Sequence, residues 1–218
     1  MSSTLTRVRD NLRRPMPDLV GYLVAKIRSA AWRPYLRHVG RGFHVGAGAQ
    51  LQGCDRISIG EDFVAGPLLW IEAVKRFRDD TFDPTIEIGA NVTCSQGVHI
   101  AATSRVTIHD GVMFGSRVHV TDHGHGTYRG DTQDRPDVPP RSRRLSDGRP
   151  VVIERNVWLG DGVVVLPGVT IGAGSIVGAN SVVSRNLPPG VIAVGAPAVP
   201  IKTFDPASGR WIDIETSP

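Results

Sequence analysis

The sequence predicts an all-β solenoid, a chain wound into stacked triangular coils, on three observations. Ile153, Leu159, Val165, Ile171, Val177 and Val183 fall at intervals of six residues. Four residues after each of the first five stands a small or branched side chain: Val157, Val163, Val169, Ser175 and Ser181. Gly160, Gly172 and Gly178 directly follow three of the aliphatic positions. A period of six is neither the 3.6 of a helix nor plain strand alternation. It suits a chain that turns a corner every six residues, so that three hexads close one coil. With coils stacked about 4.8 Å apart, as neighbouring strands are, Ile153 lies over Ile171, Leu159 over Val177 and Val165 over Val183. Repeats that bury a core only by stacking make a solenoid.

The N-terminal segment, residues 1–42, is of another kind. It holds nine Arg or Lys against Asp10 and Asp18, a balance of +7 that leaves about −3 for the rest, given +4 overall. Asp18 is expected to cap a helix whose apolar stripe is Leu19, Leu23, Ile27 and Ala30. A basic helix of this type can cover the open end of a solenoid or lie on an anionic membrane surface. The cap is the expectation, and peripheral membrane contact is compatible with it. Nucleic acid is not an expected partner, because no recognised binding motif accompanies the basic residues.

The repeat domain is expected over residues 43–203. Val45, Leu51 and Ile57 are in phase, and the phase then slips by two to Ile59, Ala65 and Ile71. A second run takes Ile88, Cys94, Ile100 and Val106, slips by two again, and continues at Ile108, Phe114 and Val120. Each slip implies a coil edge carrying two extra residues, and counting hexads gives five to six coils. Residues 121–150, rich in Pro, Gly and charge, interrupt the repeat as an extruded loop, and residues 204–218 form a tail.

Composition bounds the rest. A chain of 218 residues can bury one sizeable core. Its 25 glycines suit tight repeat corners rather than disorder. There is no run of eighteen apolar residues and no signal-peptide pattern at the start. Of the two cysteines, Cys94 holds a hexad core position, so an inert buried thiol is expected rather than a disulfide or metal ligand. The expected location is the cytoplasm, at or near the inner face of the membrane.

Chemistry is expected at the root of the loop, where Asp122, His123 and His125 stand. Long loops on rigid scaffolds commonly carry function. Imidazole, with an unperturbed pKa near 6.5, is the side chain suited to take a proton at neutral pH. A carboxylate or carbonyl on its other nitrogen would fix the tautomer. Which of the two histidines enters the cleft is a matter of loop geometry, and His123 is preferred. His99 and His119 are read as outward-facing surface or interface residues.

After the loop the strings "NVWLG", "GANSVVSRNLPPG" and "VGAPAVPIK" follow in order, with "VTDHGHG" upstream. In these the chain resembles the hexapeptide-repeat acyltransferases, trimeric left-handed β-helix enzymes using acyl-coenzyme A, and among them the sugar and polysaccharide O-acetyltransferases. The resemblance covers about residues 43–203. It implies left-handed coils, which the usual crossover rule for parallel strands would not have suggested. It implies His123 as general base, with Asp122, His125, Ser95 and Gln96 as acceptor contacts. It places Trp158 beside the acetyl or pantetheine group, backbone N–H groups near Gly160 and Asp161 on the oxyanion, and Gly178 and Ala179 along the pantetheine. Arg185 and Lys202 match the cations that meet coenzyme A phosphates. Acetyl-coenzyme A is the implied co-substrate, without a metal. The implied acceptor is a nucleotide-linked, lipid-linked or polymeric saccharide of capsule, exopolysaccharide or lipopolysaccharide synthesis.

Other readings share the helix. Antibiotic acetylation of the streptogramin type is the alternative within the transferases. A γ-type carbonic anhydrase needs three imidazoles on one Zn²⁺, with paired ligands separated by four residues. His119 to His123 leaves three between and His119 to His125 leaves five. A non-catalytic scaffold would have no need of a His-rich insertion.

Overall fold

The computed structural model describes residues 16–214 apart from residue 147, with side chains described from Val20 onward. Three parallel sheets run the length of a triangular prism, each coil contributing one short strand to each face. Face A carries His38–Val39, Ile57–Ile59, Thr85–Ile88, Arg105–Ile108, Val151–Ile153 and Thr170–Ile171. Face B begins with His44–Val45 and face C with Gln50–Gln52. The coils form a left-handed parallel β-helix.

Register follows the hexads. Ile153 pairs with Ile171, Leu159 with Val177 and Val165 with Val183, and all six are 0 % exposed. Their side chains, with Val157, Val163 and Ile108 from neighbouring positions, fill the prism as one continuous column. The phase slips are explained by face A. Ile57 and Ile59 both point inward from one strand, as do Val106 and Ile108, so that edge carries two extra residues. Where it does so, partners stand twenty apart, as with Val39 and Ile59.

The corners impose their own demand. Each A–B corner carries one residue at positive φ, among them Gly42, Asp62, Asn91, Gly111, Asn156 and Gly174. Gly and Asn adopt that left-handed conformation at least cost, which is why they recur at this point of the hexad.

Helix α1 (Met16–Trp32) closes the first coil. The Ser29 hydroxyl accepts from the Val45 N–H at 3.0 Å and donates to the Ala25 carbonyl at 2.7 Å, and Arg28 Nε donates to the Val45 carbonyl. The open backbone edge of the sheet is thereby paired rather than left bare. The face that docks consists of Ala25 and Ser29, both buried, whereas Leu23, Ile27 and Ala30 of the expected stripe face outward. Small side chains let the helix backbone approach the coil, which the longer stripe residues would prevent. Asp18 lies inside the helix rather than at its start, and its side chain and that of Leu19 lie outside the described residues. So do Arg7, Arg9, Arg13 and Arg14.

The far end is closed differently. Val191–Val194 continues face B in parallel, and Val199–Asp205 and Arg210–Asp213 then fold back antiparallel. Two excursions leave the C–A corner. The longer spans residues 122–150. The shorter, a hairpin of Arg76–Phe77 with Asp80–Thr81, is not foreseen by the hexad pattern.

Candidate active site

The loop root is built around a buried carboxylate. Asp122 follows strand His119–Thr121 and is 0 % exposed. Its Oδ1 accepts from the Thr103 N–H at 2.9 Å and the Thr103 hydroxyl at 3.3 Å, and its Oδ2 accepts from the Ser104 and Arg105 N–H groups at 2.7 and 2.8 Å. Those three residues form the corner of the preceding coil. The remaining contact is His123 Nδ1, 2.8 Å from Oδ1. A carboxylate supplied with this many donors acts as an acceptor, so in the neutral imidazole this contact favours the tautomer with the proton on Nδ1 and the lone pair on Nε2. Asp122 therefore has no surface with which to touch an acceptor, contrary to expectation. It orients the histidine.

His123, with its side chain 12 % exposed, lines a recess of about 440 Å³ together with Thr121, Tyr128, Ser146, Leu166 and Pro167. His125 does not line it. Its ring meets Phe77 of the short hairpin edge-on at 5.3 Å, and its carbonyl accepts from the Tyr128 hydroxyl. The two excursions are joined further by Arg144, which reaches Asp80 with two nitrogens at 2.6 and 2.8 Å. A structural duty thus turns His125 away from the recess.

Two more imidazoles sit behind the site on face C. His99 stacks on Trp70 with centroids 4.1 Å apart, and its Nδ1 lies 3.1 Å from that of His119. Burial, with His119 and then His123 nearby, lowers the His99 pKa to about 4. Burial likewise depresses His119, with His123 adding to the shift. Both are half-buried on the outer face rather than freely solvated. Among the described residues, no three His, Cys, Asp or Glu side chains gather as a metal site. Cys94 is buried in the core, and its thiol pKa is driven upward by that burial.

The remaining candidates divide between two edges. Ser95, Gln96, Gly160, Asp161, Gly178 and Ala179 all occupy the B–C corner, the last four in adjacent coils and Ser95 and Gln96 two coils before Gly160, whereas His123 rises from the C–A corner. Trp158 is 46 % exposed on face B, with Met113 of the preceding coil beside it. Gly160 N–H already donates to the Val177 carbonyl and Gly178 N–H to that of Ala193, so neither is free for an oxyanion. Asp161 N–H has no backbone acceptor among the described residues, while its carboxylate accepts from the Ser116 N–H at 2.6 Å. The small size of Gly160 serves packing between coils, since a Cβ there would lie 2.7 Å from Ala179 N. Arg185 is exposed at the C–A corner, one coil beyond Leu166 and Pro167, and makes no hydrogen bond or ion pair among the described residues. Lys202, expected to meet phosphate, is instead paired with Asp213 across the terminal hairpin.

Residues 150–185 match the family model described as bacterial transferase hexapeptide (six repeats). Over 156 residues the chain is 38 % identical to WbbJ of Escherichia coli (strain K12), a candidate lipopolysaccharide biosynthesis O-acetyl transferase, covering 71 % of this chain and 76 % of that one. The chain belongs to the hexapeptide-repeat acyltransferases. Nodulation protein L of Rhizobium meliloti (strain 1021) is 44 % identical over 114 residues, 52 % of this chain and 57 % of that one. The fold is also that of AntD, an N-acyltransferase from Bacillus cereus, one point mutant of which was solved with dTDP-4-amino-4,6-dideoxyglucose and coenzyme A. That likeness has a TM-score of 0.64 at 20 % identity and covers 83 % of this chain and 91 % of AntD. In this chain the 2.8 Å contact joins the buried Asp122 carboxylate to the imidazole of His123 at the wall of the recess.

Proposed function

We propose that the protein is an acetyl-coenzyme A-dependent O-acetyltransferase acting on a saccharide hydroxyl, with His123 as general base. The observation that carries this reading is the 2.8 Å contact between His123 Nδ1 and the buried Asp122, which leaves Nε2 for the recess. In the reaction, Nε2 takes the acceptor's hydroxyl proton as that oxygen bonds to the thioester carbon. The carbonyl becomes an oxyanion, for which Asp161 N–H is the available donor of the expected pair. When the carbon–sulfur bond breaks, the proton on Nε2 passes to the departing sulfur. This direct transfer needs neither a covalent acyl-enzyme nor a metal. Of the expected settings, capsule, exopolysaccharide and lipopolysaccharide synthesis, the last is the one that the likeness to WbbJ supports.

The residues present suit the co-substrate. The exposed Trp158 ring fits an acetyl or pantetheine surface, and Arg185, unpaired among the described residues, fits a phosphate. Trp158 stands on another face of the prism than the recess, whereas Arg185 shares the recess's corner one coil further on, so the reading includes a homotrimer in which a neighbouring subunit brings its Trp158 face to each site. Support comes from face B, where Val64, Met113 and Trp158 are exposed in one outward column. The reading also includes contact with an anionic membrane through α1. Val20, Leu23, Val24 and Ile27 are at least half exposed on it, with Lys26 between them.

The test is His123→Ala. Turnover should fall roughly 10²–10⁴-fold, the usual contribution of a general base, with acetyl-coenzyme A binding nearly intact. If His125→Ala is the dead enzyme instead, the base is misassigned. If neither variant affects transfer, the mechanism is wrong.

A further inference from the structure

Among the described residues, the recess beside His123 carries charge of one sign. Of the loop's arginines, Arg143 is spent on the Val138 and Pro136 carbonyls and the Tyr128 hydroxyl, Arg144 on Asp80 and Arg135 on Asp137. Arg129 and Arg149 differ. Both line the recess, and neither guanidinium has a hydrogen bond or ion pair among the described residues. No carboxylate among the described residues lines that recess with them. Asp122, the nearest acid in sequence to His123, is buried behind it and fully supplied with donors.

Arg149 is also held in place. Its N–H donates to the Asp122 carbonyl at 2.8 Å, and its own carbonyl accepts from the Gly168 N–H at 3.0 Å. The side chain lies along Gly168, where an added Cβ would stand 3.3 Å from Arg149 Cβ and 3.4 Å from its Nη1. One residue of backbone therefore ties this guanidinium to the carboxylate that orients the base. An unpaired guanidinium at a recess wall binds an oxyanion through two parallel N–H donors, and better than it binds a neutral hydroxyl.

We propose that the acceptor is an anionic saccharide, whose phosphate or carboxylate is held by Arg149, assisted by Arg129, while its hydroxyl meets His123. This rests on the acyltransferase reading and narrows its substrate class: neutral sugars would leave both guanidinium groups unpaired. Phosphate of a nucleotide-linked or lipid-linked sugar and carboxylate of a uronic acid share the chemistry that Arg149 recognises.

The experiment uses the full-length protein saturated with coenzyme A, so that cofactor phosphate sites are filled. Inorganic phosphate and pyrophosphate, glucuronate and glucose are titrated by calorimetry against wild type, Arg149→Gln and Arg149→Lys. Wild type should bind the anions in preference to glucose. Arg149→Gln should weaken them at least about tenfold, in line with loss of a charge-assisted hydrogen bond, and Arg149→Lys should recover part of the loss. Phosphate against glucuronate separates the two sources of charge. Anion binding that is absent in the coenzyme A complex, or unaltered by Arg149→Gln, overturns the proposal. So does an Arg149→Gln variant whose main loss is affinity for coenzyme A, because the cation would then serve the donor. Failure of the transferase reading shows separately, as wild type that binds these ligands yet acetylates no sugar.

Discussion

Asp122 has two duties, and they make different predictions. Four donors from the preceding corner end on its oxygens, so replacing it by Ala leaves buried N–H groups unpaired. Asp122→Asn is the sharper test, because an amide retains an acceptor for the corner but can present an N–H to the histidine. The Nδ1 proton is then no longer required, and the tautomer with a lone pair on Nε2 loses its support. Turnover should fall by about 10²-fold or more while acetyl-coenzyme A binding is kept, a split read from steady-state kinetics and calorimetry. His125→Ala should cost less than about tenfold, as its ring is engaged with Phe77 rather than the recess. The His99 pair predicts a pH effect on stability. A histidine whose folded pKa is about 4 stabilises fully above its unfolded value, near 6.5. That contribution is lost as pH falls from there toward 4, because the unfolded chain binds the proton first. Melting temperature should therefore drop across that window less steeply in His99→Phe than in wild type. Equal slopes would remove the histidine from the acid response.

Strands of two residues cannot stand alone, and the hexad elements owe their existence to the coil above and below. Ile171 is 0 % exposed between Ile153 on one side and Leu187 on the other. Ile171→Ala should destabilise by about 2–5 kcal/mol, measured by denaturant unfolding, since a stacked core has little freedom to close the cavity. A loss below about 1 kcal/mol would mean that the coils relax more than the ladder implies. This level is the most legible in the sequence, because burial of the same two positions in each hexad leaves a period of six that neither a helix nor a plain strand has. The Arg76–Thr81 hairpin is not legible: it sits between Ile71 and Ile88, where the phase is broken anyway, and short polar hairpins have no period of their own. Its contacts with His125, Arg141 and Arg144 make it a brace for the loop. Asp80→Ala should accordingly impair turnover more than it lowers the melting temperature. The docking face of α1 escapes the apolar pattern for a related reason. Hydrophobicity marks what can be buried, but close approach to a coil selects Ala25 and Ser29 by size.

At the scale of the molecule, the residues assigned to one reaction are spread over two corners and a face of the prism. The sequence carries their identities, by motif, but not this separation, which depends on how many residues each corner takes. His123 stands at the C–A corner, Asp161 at the B–C corner and Trp158 on face B. A single chain does not gather them in the recess. Two subunits related by a cyclic threefold axis would place unlike faces opposite one another, as a heterologous interface does. The consequence is subunit complementation. His123→Ala and Trp158→Asp should each be nearly inactive as pure trimers. Co-expressed in equal amounts, they should form mixed trimers in which some sites take His123 from one chain and Trp158 from the next. Random mixing gives about a quarter of sites both residues intact, so about a quarter of wild-type turnover should return in the cyclic arrangement. Analytical ultracentrifugation should show one trimeric species throughout. Mixed preparations no more active than their parents, from a protein that sediments as a trimer, would mean that each chain completes its own site. An active monomer at all concentrations would remove the shared site altogether.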